Sequence, residues 1–295
     1  MDGGHWKTIE EAYRGGSRYL QNRGVDTPRF VSELLLRNAL GCDRTRLFMR
    51  FGEPMPPEAA RKFSHWLELR SAGFPVQYLL GEQEFYGRSF HVNPAVLIPR
   101  PETETLVETV LRESRRFGEK TPLTAVDVGT GSGAIAVTLA AEKPLWRICA
   151  VDRSADALGV ARKNGVQHGV DDRVQWMQGD WLEPISKCGL RADLVVSNPP
   201  YIPSGVIDGL DAEVREHEPR MALDGGIDGL DPFRHLIRQL PDVLNLPGLI
   251  ALEVGDGQSG EVAAMLRKLP ESDVFIVPDL AGRPRVVGAR IGFPR

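Results

Sequence analysis

Leu123-Thr124-Ala125-Val126-Asp127-Val128-Gly129-Thr130-Gly131-Ser132-Gly133 opens the part of the chain whose reading decides the fold. A short apolar run predicts a buried strand. The alternate glycines that follow let the backbone turn sharply from strand into helix. They also let a ligand approach the main chain without meeting a Cβ. The pattern then recurs. Residues 147–151, 174–177, 192–197 and 249–254 predict four further strands, with helical stretches such as 134–141 and 155–164 between them. Such alternation implies parallel strands joined by right-handed crossovers. The last two apolar runs, 274–277 and 285–289, are separated only by a loop over 278–284. A connection that short favours antiparallel neighbours. The expected fold class is therefore α/β, a doubly wound, mostly parallel seven-stranded sheet that ends in an antiparallel hairpin.

Upstream, the chain reads as helical. Asp26-Thr27-Pro28 is a helix-start signal, a polar cap followed by an early Pro. Phe30, Val31, Leu34, Leu35 and Leu36 then form a broad apolar stripe that Gly41 ends. Pro56-Pro57-Glu58 starts another helix, with Phe63, Trp66 and Leu67 on its inner face. No phosphate loop, metal cluster or nucleophile pattern occurs here, which suits a docking or packing module. Phe85, Tyr86, Phe90, Val92 and residues 96–98 are β-formers, broken by Gly87-Arg88 and Asn93-Pro94, and predict a β-hairpin. Arg100-Pro101-Glu102-Thr103-Glu104 opens a helix with Pro early and acids in the first turn. The expected organisation is a helical substrate-docking domain over 1–80, a hairpin linker over 81–100 and the α/β domain over 101–295.

The 295 residues suffice for one full-sized core and a smaller module. The net charge of -4 gives no support for nucleic-acid backbone as the main partner. Cys42, Cys149 and Cys188 are scattered and odd in number, which argues against a disulfide framework or a zinc site and fits a reducing compartment. Residues 1–6 lack a basic stretch followed by an apolar run, and no apolar segment has bilayer-spanning length. The expectation is a cytoplasmic protein with no membrane and no direct nucleic-acid partner, and with no metal.

Asp152 ends the second strand, about twenty residues after the glycine turn, where a carboxylate can accept from both ribose hydroxyls of an adenosine ligand. Gly129-x-Gly131-x-x-Ala134 also meets the looser dinucleotide fingerprint, so the turn alone does not choose a ligand. Gly179-Asp180-Trp181 at the end of the third strand favours S-adenosylmethionine. Asp180 can accept from the adenine amino group and Trp181 can cover the ring. The bland alternatives are a helix cap at Asp180 and a core position for Trp181.

The fourth strand runs straight into Asn198-Pro199-Pro200-Tyr201, at the end of a central strand where open α/β sheets take ligands. An amide nitrogen is a poor nucleophile because its lone pair is delocalised into the carbonyl. To attack a sulfonium methyl it must be oriented, and its two hydrogens need acceptors. The Asn198 side-chain oxygen can take one and the Pro199 carbonyl the other. Pro199 and Pro200 bring no competing N–H and stiffen the loop. Tyr201 offers a flat face on which a planar amide or base can stack. A rigid turn with no chemistry is the bland alternative.

At these residues the sequence closely resembles the bacterial release factor glutamine methyltransferases, also called the HemK family. The likeness covers nearly the whole chain. It includes Phe74-Pro75-Val76-Gln77-Tyr78, Leu97-Ile98-Pro99-Arg100-Pro101-Glu102-Thr103-Glu104, the glycine loop, Asn198 to Ile202, Glu218-Pro219-Arg220 and Asp279-Leu280-Ala281-Gly282-Arg283-Pro284-Arg285. The resemblance implies a methyltransferase sheet and methylation of the glutamine in the Gly-Gly-Gln motif of peptide chain release factors. It implies that Gly129, Thr130, Gly131, Ser132, Gly133, Asp152, Trp181 and Asn198 contact S-adenosylmethionine, to which the residue reading above adds Asp180. It has Asn198, Pro199, Pro200 and Tyr201 hold the substrate glutamine and gives the helical domain a part in docking the release factor, while the loop chemistry above makes Asn198 and Pro199 the catalytic residues. A sister family methylates a glutamine of a large-subunit ribosomal protein, and the Arg100 to Glu104 stretch resembles the release factor enzymes instead.

Rival readings are an adenine-N6 DNA methyltransferase, which the same tetrapeptide would serve, an NAD-dependent oxidoreductase, which leaves Asn198 to Tyr201 unexplained, and a non-catalytic binding module. A DNA enzyme normally needs a basic recognition region, and this chain has little room for one. Glu218, Arg220 and Asp224 read either as a lid or as a solvated loop with local ion pairs. Glu102 and Glu104 read as helix-start charges, His91 and His217 as surface or loop residues, and Cys149 as a small core hydrophobe.

Overall fold

A computed structural model describes residues 6–293. The expected absence of a leader in residues 1–6, and the outer ends of the expected domains 1–80 and 101–295, reach residues 1–5 and 294–295, which lie outside the described residues. The chain divides into two compact units, Met1–Gly81 with Asp211–His217, and Glu82–Leu210 with Glu218–Arg295.

The first unit is helical. Its helices are Ile9–Gln21, Pro28–Leu40, Arg44–Met49, Pro57–Ser71, Val76–Leu80 and Ala212–His217. They close over a core that includes Ile9, Leu20, Leu35, Leu36, Leu47, Phe63 and Leu67. Gly41 ends the second helix with φ +60, a left-handed cap suited to glycine. The start of that helix differs from expectation. Thr27 has φ 46 and makes no side-chain cap bond, so Pro28 at the first turn sets the start. Phe30 is 59% exposed. Val31, Ser32, Leu35 and Leu36 define the inner face, and at about 100° per residue Phe30 falls on the opposite side. Trp66 is half-buried, with the Lys62 ammonium 4.5 Å above its ring. His217 is no free surface residue, since its ring packs edge-on against Phe74 at 4.9 Å and its Nε2 is buried with no hydrogen-bond partner.

The second unit begins with the hairpin β1 (Glu82–Phe85) and β2 (Arg88–His91). Tyr86 and Gly87 form its two-residue turn, both with positive φ (53 and 69), as the twist of a tight hairpin demands. Glu104, on the helix Pro101–Glu113, accepts from the Tyr86 backbone N–H at 2.8 Å and so fixes that turn. Residues 96–98 form no strand.

The main sheet contains β3 (Thr124–Val128), β4 (Arg147–Asp152), β5 (Val174–Gln178), β6 (Ala192–Ser197), β7 (Leu244–Glu253), β8 (Ser272–Pro278) and β9 (Pro284–Ile291), in the spatial order β5-β4-β3-β6-β7-β9-β8. β5 to β7 are parallel in that order, and β9 runs antiparallel to both β7 and β8. The doubly wound sheet with a closing hairpin is as expected. Period-2 alternation explains why both faces are covered. Val126, Val128, Val151 and Val195 pack into one core, whereas Ala125, Ile148, Leu194 and Val196 pack into the other. Cys149 is buried in the first of these cores. The helix Ala134–Glu142 is buried from Ala134 through Ala140, which accounts for its all-round apolar composition. From β3 the sheet grows outward to β4 and β5, then returns to place β6 on the other side of β3. The loops after β3 and β6 therefore flank the point where the strand order reverses, the crevice in which open α/β sheets take ligands.

Among the described residues no helix is long and apolar enough to cross a membrane, and no group of three or more His, Cys, Asp or Glu could hold a metal ion.

Candidate active site

A cavity of about 930 Å³ opens at this reversal point. Gly129, Thr130, Gly131, Ser132, Asp152, Asp180, Trp181, Asn198 and Pro200 line it. Gly133, Pro199 and Tyr201, singled out with them, do not.

The glycine turn has a clear local logic. Gly129 and Gly131 have φ +72 and +54, and a Cβ built on either meets nothing within 4 Å, so the space above them is open. Gly133 differs, because a Cβ there would lie 3.1 Å from the Ala161 Cβ. That glycine serves the close packing of the helices Ala134–Glu142 and Ala155–Gln167. Asp127, fully buried beneath the turn, accepts from the Thr130 hydroxyl at 2.6 Å and the Ala136 N–H at 3.2 Å. Burial pushes its carboxyl up to about 7.

Asp152 holds the opposite wall. One carboxylate oxygen accepts from the Gly131 N–H at 2.8 Å and the other from the Ser154 N–H at 2.9 Å. Burial raises its pKa against these bonds. Trp181 has a positive φ of 52, and its ring stacks on His235 at 6.1 Å and 16°, with both residues facing the cavity. Trp181 also packs on the hydrophobic core, so it both lines the cavity and meets the core.

Asn198 follows β6 directly, and its Nδ2 donates to the Thr103 hydroxyl oxygen at 3.1 Å. Pro199 is buried, and Tyr201 turns inward. The Tyr201 hydroxyl donates to Glu253 Oε1 at 3.4 Å, and the Tyr201 carbonyl accepts from Gln258 at 2.9 Å. Burial first, and the Glu253 charge second, push the Tyr201 hydroxyl up to about 12.

Several residues near the site were missed or read differently from sequence. Glu218 is not solvated, and Arg220 and Asp224 line the cavity. Glu218 is 5% exposed and accepts from the Ile98 N–H at 3.3 Å and from the Arg100 guanidinium. The segment that follows is tied down through Ile202 N–H to the Leu223 carbonyl at 3.0 Å and Gly225 N–H to the Ile202 carbonyl at 2.8 Å. Asp224 accepts from Ser204 at 2.6 Å, and that bond above all holds its carboxyl below the usual range. Thr103 and Glu253 carried no signal beyond a helix start and a strand end.

The chain matches the family descriptions "PrmC N-terminal domain" over residues 11–81 and "Methyltransferase small domain" over residues 103–209. Curated relatives named release factor glutamine methyltransferase include that of Moorella thermoacetica, 44% identical over 94% of this chain and 96% of the relative. That of Geobacter sulfurreducens is 42% identical over 97% of each chain. That of Bacillus cereus is 41% identical over 96% of this chain and 99% of the relative. Among solved structures, the hMettl16 catalytic domain in complex with the MAT2A 3'UTR hairpin 6 aligns with a TM-score of 0.55 at 16% identity, over 80% of this chain and 82% of that one, a likeness of fold. Near-complete alignment at this identity, joined to a methyltransferase sheet with its glycine turn and Asn-Pro-Pro-Tyr loop at one crevice, shows that the chain belongs to the release factor glutamine methyltransferase family.

Proposed function

We propose that this protein transfers the methyl group of S-adenosylmethionine to the side-chain amide nitrogen of the glutamine in the Gly-Gly-Gln motif of peptide chain release factors, in the cytoplasm and in support of translation termination. The observation that carries the reading is the meeting of an Asn198 side-chain amide and an open glycine turn in one cavity. The cavity suits the cofactor. Its volume of about 930 Å³ admits an adenosine with a methionine tail, and Gly129 and Gly131 leave open the space a Cβ would fill. Asp152 keeps lone pairs for ribose hydroxyls beyond its two backbone bonds, and Trp181 with His235 supplies a flat wall near Asp180. When bound, S-adenosylmethionine supplies an electrophilic methyl on a positively charged sulfur.

The remaining work falls to the chain's own residues. Asn198 Oδ1 and the Pro199 carbonyl take the two amide hydrogens and aim the nitrogen lone pair. Pro199 and Pro200 hold that geometry without a competing donor. The new N–C bond forms as the S–C bond breaks, and the amide proton leaves to water, so no strong side-chain base is needed. The helical region over residues 1–80 docks the release factor, the linker spans 81–100, and 101–295 carries the chemistry.

Incubation with labelled S-adenosylmethionine and a release factor should label the glutamine of its Gly-Gly-Gln loop, as read by mass spectrometry. Changing that glutamine to alanine in the release factor should abolish labelling. Undiminished labelling of the altered factor would show the substrate to be wrong.

A further inference from the structure

We propose that Thr103 and Glu253 are positioning residues that fix which end of the Asn198 side-chain amide faces the cavity. The inference rests on the reading of Asn198 as the acceptor for a substrate amide. The observations are two hydrogen bonds, a hydroxyl that faces a carboxyl, and the burial of that carboxyl. Asn198 Nδ2 donates to Thr103 Oγ1 at 3.1 Å. The Thr103 hydroxyl faces Glu253 and lowers its pKa. The Tyr201 hydroxyl also meets Glu253, at 3.4 Å. Glu253 ends β7 with only 1% of its surface exposed, and its Oε2 is buried without a hydrogen-bond partner. A half-used carboxyl in such a place has no evident structural purpose, since an apolar residue would fill the site at less cost.

The polarity follows from the donor inventory. An ionised carboxylate only accepts. Both hydroxyls that face Glu253 must then donate to it. With its one hydrogen committed, Thr103 Oγ1 can only accept from Asn198, and only the NH2 end can supply that hydrogen. Asn198 Oδ1 is left for the cavity, where an incoming amide N–H needs an acceptor. Protonation lifts the constraint. A carboxylic acid can donate to Thr103, the Thr103 hydrogen can then turn to Asn198 Oδ1, and the flipped side chain presents a donor where an acceptor is required. The groups facing Glu253 are Tyr201, which follows β6, Thr103 and Glu102 on the helix Pro101–Glu113, and Arg285 on β9. Burial pushes Glu253 up to about 7, with Thr103 and Arg285 opposing it and Glu102 reinforcing it.

Thr103→Val keeps the shape and removes the hydroxyl, whereas Thr103→Ser keeps the hydroxyl and removes the methyl. Under the relay, Thr103→Val lowers kcat about 10- to 100-fold with S-adenosylhomocysteine affinity changed less than about threefold, and Thr103→Ser recovers most of the loss. The Asn198 side-chain NH2 resonances, read by NMR after asparagine-selective labelling, should move to the position of a free amide in Thr103→Val and stay near wild type in Thr103→Ser. The acid limb of the wild-type kcat profile should disappear in Glu253→Gln. A Thr103→Val enzyme at wild-type rate with unmoved NH2 resonances would overturn the relay. So would a Thr103→Ser enzyme as slow as Thr103→Val, because activity would then follow packing. Asn198→Ala separates the two readings. If it is inactive while Thr103→Val is normal, only the relay fails, and if it too is normal, the amide clamp itself fails. The NMR comparison decides the relay even if the release factor is not the substrate.

Discussion

Glu253 illustrates a site residue held against the interest of stability. Its carboxyl is raised from 4.5 to about 7, chiefly by burial. Between those values the folded chain binds a proton that the unfolded chain has released. Stability contributed by this group therefore falls as pH rises from about 4.5 to about 7, by up to ~3 kcal/mol. Glu253→Gln cannot titrate, so the expected outcome is a variant whose urea stability exceeds that of wild type by a margin that widens from pH 5 to pH 8. A margin constant with pH would mean that Glu253 is ionised at little cost. Asp127 titrates in both backgrounds and cancels. At this scale sequence was a partial guide. Asn198 was legible because it stands in a short, chemically unusual run. Thr103 and Glu253 were not, because they join the loop from sequence distances of 95 and 52 residues, and Thr103 alone reads as an ordinary first-turn residue. His217 was misread for the same reason, since nothing near it in sequence announces the Phe74 ring against it.

Elements were easier to read, for a physical reason. Parallel strands covered on both faces are continuous apolar runs, and the helices between them carry their own periodicity. The elements that escaped are the ones without such a signature. The helix Val76–Leu80 is five residues long, too short for a period to show. β7 begins at Leu244, five residues before its apolar run, because Pro247-Gly248 reads as a turn. The structure absorbs that pair in a register shift between Ala192 and Leu194 on the neighbouring strand. The glycine turn shows two uses of one residue type within a single element. Gly129→Ala and Gly133→Ala both place a side chain at positive φ, about 1 to 2 kcal/mol of strain each. The added methyl at 129 meets open space, whereas at 133 it meets Ala161 at 3.1 Å. Gly133→Ala should therefore lower the urea midpoint further than Gly129→Ala, while Gly129→Ala should weaken S-adenosylhomocysteine binding out of proportion to its stability loss. Equal stability losses would remove the distinction between packing and ligand clearance.

On the scale of the whole molecule, the cavity and the helical unit make separate demands. The lining residues run from Ala95 to His235 and all belong to the second unit. The first unit contributes none, carries its own core, and takes in Asp211–His217 through Glu213 with Arg70 at 2.7 Å and His217 with Phe74. A chain with a net charge of -4 has little general attraction for polyanions, so recognition of a protein substrate must come from a shaped surface. If the helical unit is that surface, removal of residues 1–81, with residues 211–217 replaced by a short glycine linker because their partners are gone, should split the two demands. S-adenosylhomocysteine affinity should stay within about tenfold of wild type, since it depends on the second unit alone. Methylation of a short Gly-Gly-Gln peptide should change little, while kcat/KM for an intact release factor should fall at least about 100-fold, roughly 3 kcal/mol of lost docking energy. Equal losses for peptide and intact factor would locate the defect in the catalytic unit, and no loss for either would take the docking role away from the helices.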